Sequence, residues 1–392
     1  MSDSGRSENR AWFVLGRAHV RAPLLRELLD RHGSAAGIAA SSASELRQCG
    51  VAEQTLAAIH APDEAAIERD LAWLDRSGNH LLHPRSPEWS ALFRELDDAP
   101  TMLYVRGDCR VFHLPPLAIV GSRNPTRGGI ANAYQFARHL GGAGFCIVSG
   151  LAQGIDAAAH RGALDAGAMT IAVLGHGIDR VYPAANHELA HRIAAQGALV
   201  SEYPLGSPPR REHFPERNRL ISGLSLGTLV VEAAKRSGSL ISARLAAEQG
   251  REVFALPGSI HNALSRGCHQ LIREGAKLVE SADDIVSELG PLAEHLMQNV
   301  IAATRPPPAD RGVAPPQRDA EYEKLISALG HDPSTVDELA SESGLTIGQV
   351  SSMLLILELE GEIEALQSGR YARIGSSSRH ERERARRADV SF

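Results

Sequence analysis

Between residues 117 and 256 the chain alternates short apolar, β-branched runs with single helical stretches, and this rhythm restricts the fold more than any other feature. The runs fall at residues 117–120, 145–148, 169–174, 198–201, 227–231 and 252–256; the intervening helical patterns fall near 128–141, 155–166, 186–195, 216–224 and 239–249. Runs this continuously apolar have no polar face to give to water, so both faces must be covered. One helix between successive runs is the length of a crossover, which joins parallel neighbours. The pattern therefore predicts an α/β fold: a Rossmann-like, doubly wound, mostly parallel sheet.

The 392 residues exceed one typical domain, and the flanks read differently. Residues 10–75 read as a small helical domain of SAM or helix-hairpin-helix type. Leu24, Leu25, Leu28 and Leu29 recur at helical spacing before Gly33, and Gly50 sits in a turn between two helices. Few Lys or Arg surround Gly50, which favours protein contact or packing over DNA. A short strand is expected at residues 101–105. Residues 80–290 form the Rossmann-like domain and 291–319 a Pro-rich linker. Residues 320–375 hold three helical patterns, with Thr335 and Thr346 as N-caps, followed by a small hairpin, which together read as a winged-helix-like domain. Ile347, Val350, Leu354 and Leu357 are its expected core on the third helix. That helix has no Lys or Arg, which favours an accessory or protein-contact role over reading duplex DNA. The tail, 376–392, has little to bury and is expected to be disordered.

In a doubly wound sheet, ligands gather at the carboxyl ends of the strands. Five successive ends here carry Gly, Ser, Arg or Lys. They are GSRNPTRGG from Gly121, SGLAQGID from Ser149, GHGID from Gly175 with Tyr182-Pro183 and Asn186 beyond, the stretch 204–220, and EAAKRSGS from Glu232. Any single turn of this kind also serves geometry alone. Five together point to a phosphate-rich ligand, because Gly lets backbone amides approach an anion and a helix start adds positive partial charge. The stretch 204–220, PLGSPPRREHFPERNRL, adds Arg210, Arg211, Arg217 and Arg219 around Phe214. In isolation it reads as well as a solvated loop as it does a site. Guanidinium forks suit phosphate oxygens and a ring gives a base a stacking face.

Several chemistries are excluded or weakened. The first turn is not G-x-G-x-x-G, and no G-x-x-x-x-G-K-[ST] occurs, so no dinucleotide or ATP cofactor is expected. No G-x-S-x-G elbow surrounds Ser122, Ser149 or Ser239. Cys49, Cys109, Cys146 and Cys268 are far apart without CxxC, so neither a zinc site nor a disulfide framework is expected. The histidines form no HExxH; His80/His83 and His187/His191 are expected on solvated faces. Asp156 and Glu232 suit a base, a cap or an ion pair. Net charge is −6, so a nucleic-acid surface must be a local patch. The start has no apolar signal core and no run reaches the ~18 residues of a membrane span, which reads as cytoplasmic.

Read in order, GSRNPTRGG, SGLAQGIDAAAH, GHGIDRVYPAAN, SEYPLGSPPRREHFPERNRLISGLS, VVEAAKRSGSLISA and PGSIHNALSRGCHQLIREGA closely resemble the signature segments of the DprA, or Smf, DNA processing family over about residues 80–290. The resemblance implies sequence-independent binding of single-stranded DNA, protection of incoming DNA in natural transformation and help in loading RecA recombinase for homologous recombination. It also implies a homodimer formed through the Rossmann-like domain, and no catalytic activity. By motif position, Arg123 resembles the family's phosphate-binding arginine, Arg211 a basic DNA contact and Phe214 its stacking or wedging aromatic. Gly121, Ser122, Ser149, Gly150, Gly154, Asn218, Lys235 and Ser239 would line the same rim. Arg217 and Arg219, on the following helix, are left between phosphate and pairing with carboxylates. The rival reading is an enzyme, a Rossmann-like nucleotide phosphoribohydrolase of the lysine-decarboxylase-like group, echoed by Gly227-Thr228 and Glu232. Where that group carries P-G-G-x-G-T, this chain has SGLSLGT.

Overall fold

The computed structural model describes residues 3–94, 96–304, 320–329 and 334–347, and within the remainder 349–350, 353–354, 357, 363–366 and 370–373. It divides into two compact units, residues 1–305 and 306–392.

The first unit opens with helices α1 (Asp3–Arg17), α2 (Ala22–His32), α3 (Ala35–Ala40), α4 (Ala43–Gln48), α5 (Glu53–His60) and α6 (Glu64–Leu74). Then come β1 (Asn79–Leu82), α7 (Ala91–Arg94), β2 (Leu103–Gly107), β3 (Pro116–Val120), α8 (Arg127–Gly142), β4 (Cys146–Ser149), α9 (Ile155–Asp165) and β5 (Thr170–Leu174). The unit continues with α10 (His187–Gln196), β6 (Ala198–Ser201), α11 (His213–Gly223), β7 (Gly227–Val230), α12 (Ser239–Glu248), β8 (Glu252–Ala255), α13 (Arg266–Arg273), β9 (Lys277–Leu278) and α14 (Ala282–Thr304). Nine strands form one sheet in the order β1-β2-β6-β5-β4-β3-β7-β8-β9. Only the β1–β2 and β2–β6 pairs are antiparallel. The expected mostly parallel, doubly wound sheet is present, and β1 and β9 extend it at its edges. Neither edge strand is legible in the sequence: β9 is two residues long, too short for a periodicity.

Strand alternation sorts the core. Leu117 and Ile119 pack with Phe136 and Leu140 of α8, Ile155 of α9 and Leu289 of α14 on one face. Ala118 and Val120 pack with Leu220 and Ile221 of α11, Ala243 of α12 and Leu271 of α13 on the other. Helices α8 to α10 thus cover one face and α11 to α13 the opposite one. Strand β3 lies between β4 and β7, so the connections leaving β3 and β7 depart to opposite faces. That is the switch point, where such a sheet opens a crevice.

The N-terminal helices share their core with the sheet. Trp12, Phe13 and Leu15 of α1 join Tyr104, Leu174, Leu189 and Leu199 in one buried cluster. Gly33 ends α2 at φ +77° and Gly50 turns between α4 and α5 at φ +83°, the left-handed backbone that glycine tolerates best. The region expected to begin as linker at residue 291 is instead still α14, whose buried Leu289 and Ala293 hold it to the sheet, and the helix runs to Thr304. Residues 305–319 and the tail from 376 lie outside the described residues.

The second unit contains α15 (Ala320–Ala328), β10 (Ser334–Thr335), α16 (Val336–Ser343), β11 (Ile363–Leu366) and β12 (Arg370–Arg373). Its antiparallel sheet runs β10-β12-β11. Thr335 and Glu338 form a capping box at α16, and the Gln349 N–H donates to Thr346 Oγ1 (3.4 Å), so both expected N-caps act as such. Val350, Leu354 and Leu357 are buried with Leu325, Leu339 and Ile363. Ile347 is a correction: it is 57% exposed, because it stands in the first turn of its helix, away from that seam.

Candidate nucleic-acid interface

The crevice at the switch point is a cleft of about 480 Å³. The loop after β3 supplies Gly121, Ser122, Arg123 and Asn124; α11 supplies Arg217 and Asn218; the turn into α12 supplies Arg236 to Ser239. Five of the expected rim residues therefore line it together: Gly121, Ser122, Arg123, Asn218 and Ser239.

Beside Arg123 of the cleft, Phe214 lies in the first turn of α11, which starts at His213, three residues before the start near 216 that the sequence indicates. The exposed guanidinium of Arg123 stands over its ring, 5.4 Å from the centroid. Tyr182, 48% exposed, lies beside it with ring centroids 5.7 Å apart and planes at 39°. These rings are set by ties between two loops. The Gly206 N–H donates to Asp179 Oδ1 (2.9 Å), and the Gly177 N–H donates to Ser207 O (3.0 Å). Tyr203 stacks on His213 and its hydroxyl reaches Glu216 Oε2 (3.0 Å), which fixes the start of α11. Gly175 packs against the Phe214 ring, where a Cβ would come within 3.1 Å.

Beneath this platform, Arg217 is buried. Its guanidinium donates to the carbonyls of Gly150 (2.9 Å) and Val173, and lies 5.9 Å from the Phe214 centroid. Burial pulls its pKa down to about 10, partly offset by nearby Asp156. Burial pushes the Asp156 carboxyl up, against the pull of Arg217 and of the Gly150 and Ala152 N–H groups that donate to it. Arg219 pairs with Glu202 (2.5 Å) and donates to Asp98 O (2.7 Å), so it is spent on the scaffold.

Several expected rim residues have structural duties instead. Ser149 is fully buried, because its hydroxyl donates to Ile119 O (2.6 Å) between strands. Gly150 is covered by Arg217, whose Nη2 would lie 2.6 Å from an added Cβ. Gly154, at φ +83°, sits against Ser122 O, 2.4 Å from where a Cβ would be, and so joins two loops. Lys235 and Arg211 are exposed but outside this cleft. His83 is a further correction: it stacks on Trp12 at 4.2 Å, and burial lowers its pKa to about 4.

The start of α8, expected to receive an external anion, already holds one. Glu232 accepts from the Thr126 N–H (2.9 Å) and from its hydroxyl (2.7 Å), placing a carboxylate at the helix's positive end. Gly129 makes room for it, since a Cβ there would lie 2.5 Å from the carboxyl carbon. Gly129→Ala is therefore expected to destabilise the protein by about 1–3 kcal/mol, despite alanine's better helix propensity. A lower denaturant midpoint checks this; an unchanged or raised one would refute it. Among the described residues no cluster of His, Cys, Asp and Glu suits a metal.

Tyr182 and Arg236 are the functional candidates that motif reading left without a role. The usable signal was an aromatic residue at the carboxyl end of a strand, in a turn already rich in Gly. Arg236 was hidden in a segment where Lys235 drew the assignment. Start to finish, the arrangement can hold phosphates between arginines and present ring faces to bases.

Fold and cleft define a Rossmann-like α/β protein whose ligand-facing rim, at the switch point, is basic with an aromatic mouth. The family model described as DNA recombination-mediator protein A matches residues 80–290, and that of the DprA winged helix domain matches 305–369. The chain belongs to the DprA (Smf) family. It is 41% identical over 312 residues to protein Smf of Escherichia coli K12, covering 79% of this chain and 81% of that one. It is 48% identical over 194 residues to DNA processing protein DprA of Streptococcus pneumoniae R6, covering 50% and 68%. The solved Streptococcus pneumoniae DprA aligns with a TM-score of 0.64 at 35% identity, covering 71% of this chain and 97% of that one. DNA processing protein A from Helicobacter pylori, described for its single-stranded DNA binding mode, aligns at 0.50 and 32% identity, covering 55% and 97%. No helix among the described residues is long and apolar enough to cross a membrane.

Proposed function

We propose that the cleft binds single-stranded DNA without sequence preference, protects it, and helps pass it to RecA in transformation and homologous recombination, with the chain acting as a homodimer through its Rossmann-like domain. The observation that carries the DNA reading is exposed Arg123 of an arginine-lined cleft, standing over the half-buried Phe214 ring with exposed Tyr182 beside it. A single strand needs a cationic track and π-faces, and any base can stack. The kinship with the Helicobacter pylori protein supports the same reading. The winged-helix unit takes an accessory or protein-contact role.

Tyr182 tests the stacking element. Because the ring is exposed, Tyr182→Ala should leave the fold intact while weakening binding to oligo-dT and oligo-dA alike by about 1–3 kcal/mol. Fluorescence anisotropy titration reads this, and wild-type affinity would remove Tyr182 from the site.

The phosphoribohydrolase reading fits less well. Ser222 and Gly223 are buried at the end of α11 and residues 227–230 are strand β7, so this segment offers no phosphate loop. Glu232 is held at the start of α8. Release of free base from AMP-type nucleotides would reinstate the enzyme.

A further inference from the structure

Tyr182 owes its place to a loop, and one buried side chain reaches both ends of that loop. The Tyr182 ring meets Phe214 and is otherwise turned to solvent, so the backbone of residues 177–182 sets where it stands. Packing fixes the middle of this segment, where Ile178 is buried in the core and Val181 packs against it.

His176 stands just past the end of β5 and is 1% exposed. Its own carbonyl accepts from Ser201 Oγ (2.7 Å), which pins it to the neighbouring strand β6. Its ring faces two carbonyls, that of Gly177, 3.0 Å from Nδ1, and that of Tyr182. Whichever of the two receives the ring proton, the first and last residues of the segment are gathered on one imidazole. Burial lowers the His176 pKa, with Arg217 acting in the same direction and Asp179 and the two carbonyls opposing, so the ring is neutral at pH 7. Buried and uncharged, it offers nothing to a phosphate, and any effect on DNA must pass through the loop. Packing alone does not call for an imidazole here. Gly177 O already accepts from the Arg180 N–H (3.2 Å), so the turn closes on its own backbone. An apolar side chain of similar size would fill the space without the cost of burying a polar ring.

We infer that His176 is a positioning residue for Tyr182: by holding the Gly177 and Tyr182 carbonyls it keeps the Tyr182 ring beside Phe214, in place for a base. This rests on the single-stranded DNA reading of the cleft.

The test is an anisotropy titration of (dT)20 with the full-length wild type, His176→Phe, His176→Gln, Tyr182→Ala, the His176→Phe/Tyr182→Ala double variant and Arg123→Ala. Phenylalanine fills the space without a donor, whereas glutamine keeps one. His176→Phe is expected to weaken binding about fivefold, the scale of one neutral hydrogen bond, and His176→Gln to stay within about twofold of wild type. The salt slope of His176→Phe should match wild type, because no phosphate contact is lost. Once Tyr182 is alanine, His176→Phe should weaken binding no further. Wild-type affinity of His176→Phe, an equal loss in His176→Gln, or the same loss with and without Tyr182 would overturn the positioning role; weakened Arg123→Ala and Tyr182→Ala would then leave the DNA site standing. Wild-type affinity of both Arg123→Ala and Tyr182→Ala would remove the site, and the role with it. If circular dichroism shows His176→Phe unfolded, His176→Leu takes its place in the same cycle.

Discussion

Arg123→Ala is expected to lower affinity for every single-stranded sequence alike, by about 1.5–3 kcal/mol, the loss of a hydrogen bond to a charged group. The slope of log affinity against log salt should flatten by about one, as one phosphate is no longer neutralised. Arg123 both lines the cleft and covers Phe214, so phosphate and base contacts are lost together. Arg211→Ala should act in the same direction but more weakly. Arg211 is exposed and outside the cleft, where a screened charge contributes about 1 kcal/mol or less and acts chiefly on the association rate. Equal affinity of the wild type and the Arg123→Ala/Arg211→Ala double variant in an anisotropy titration would sink the assignment.

Arg217→Ala should unfold the protein more easily, by about 3–5 kcal/mol, the range for removing one member of a buried charged arrangement. The substitution leaves the Gly150 and Val173 carbonyls without their donor and takes the nearest counter-charge from buried Asp156. The pH dependence follows from the sign of that shift. Asp156 is already raised in the folded state, so its ionisation costs stability above its unfolded pKa, and the cost fades as pH falls. Removing Arg217 raises it further, so the deficit at pH 7 should exceed that at pH 4. Arg217 itself, lowered only to about 10, is charged throughout that window and adds no slope. Adding Asp156→Asn should recover part of the loss at pH 7. Denaturant midpoints at the two pH values decide it, and a deficit that grows toward pH 4 would contradict the Asp156 account.

Both substitutions fall in motifs that the sequence singles out, yet their roles differ for reasons no motif carries. Arg123 and Arg217 are both arginines beside Phe214. One is exposed and available to a ligand; the other is a buried strut. Ser149, Gly150 and Gly154 likewise belong to a recognisable turn, but their partners are Ile119, Arg217 and Ser122, brought in from other strands and helices. Arg219 resolves the same way, onto Glu202 and Asp98.

The order of elements, the parallel sheet and the strand ends that gather a ligand were all set by local patterning: continuous apolar runs demand cover on both faces, and single helices between them demand crossovers. The family was legible in the SEYP…FPERNR stretch and its companions. Which side chains face solvent was not, because burial depends on contacts between segments tens of residues apart. The packing of two tied loops brought Tyr182 beside Phe214. The carboxylate of Glu232, 106 residues from Thr126, occupied a helix start that the sequence offered to phosphate.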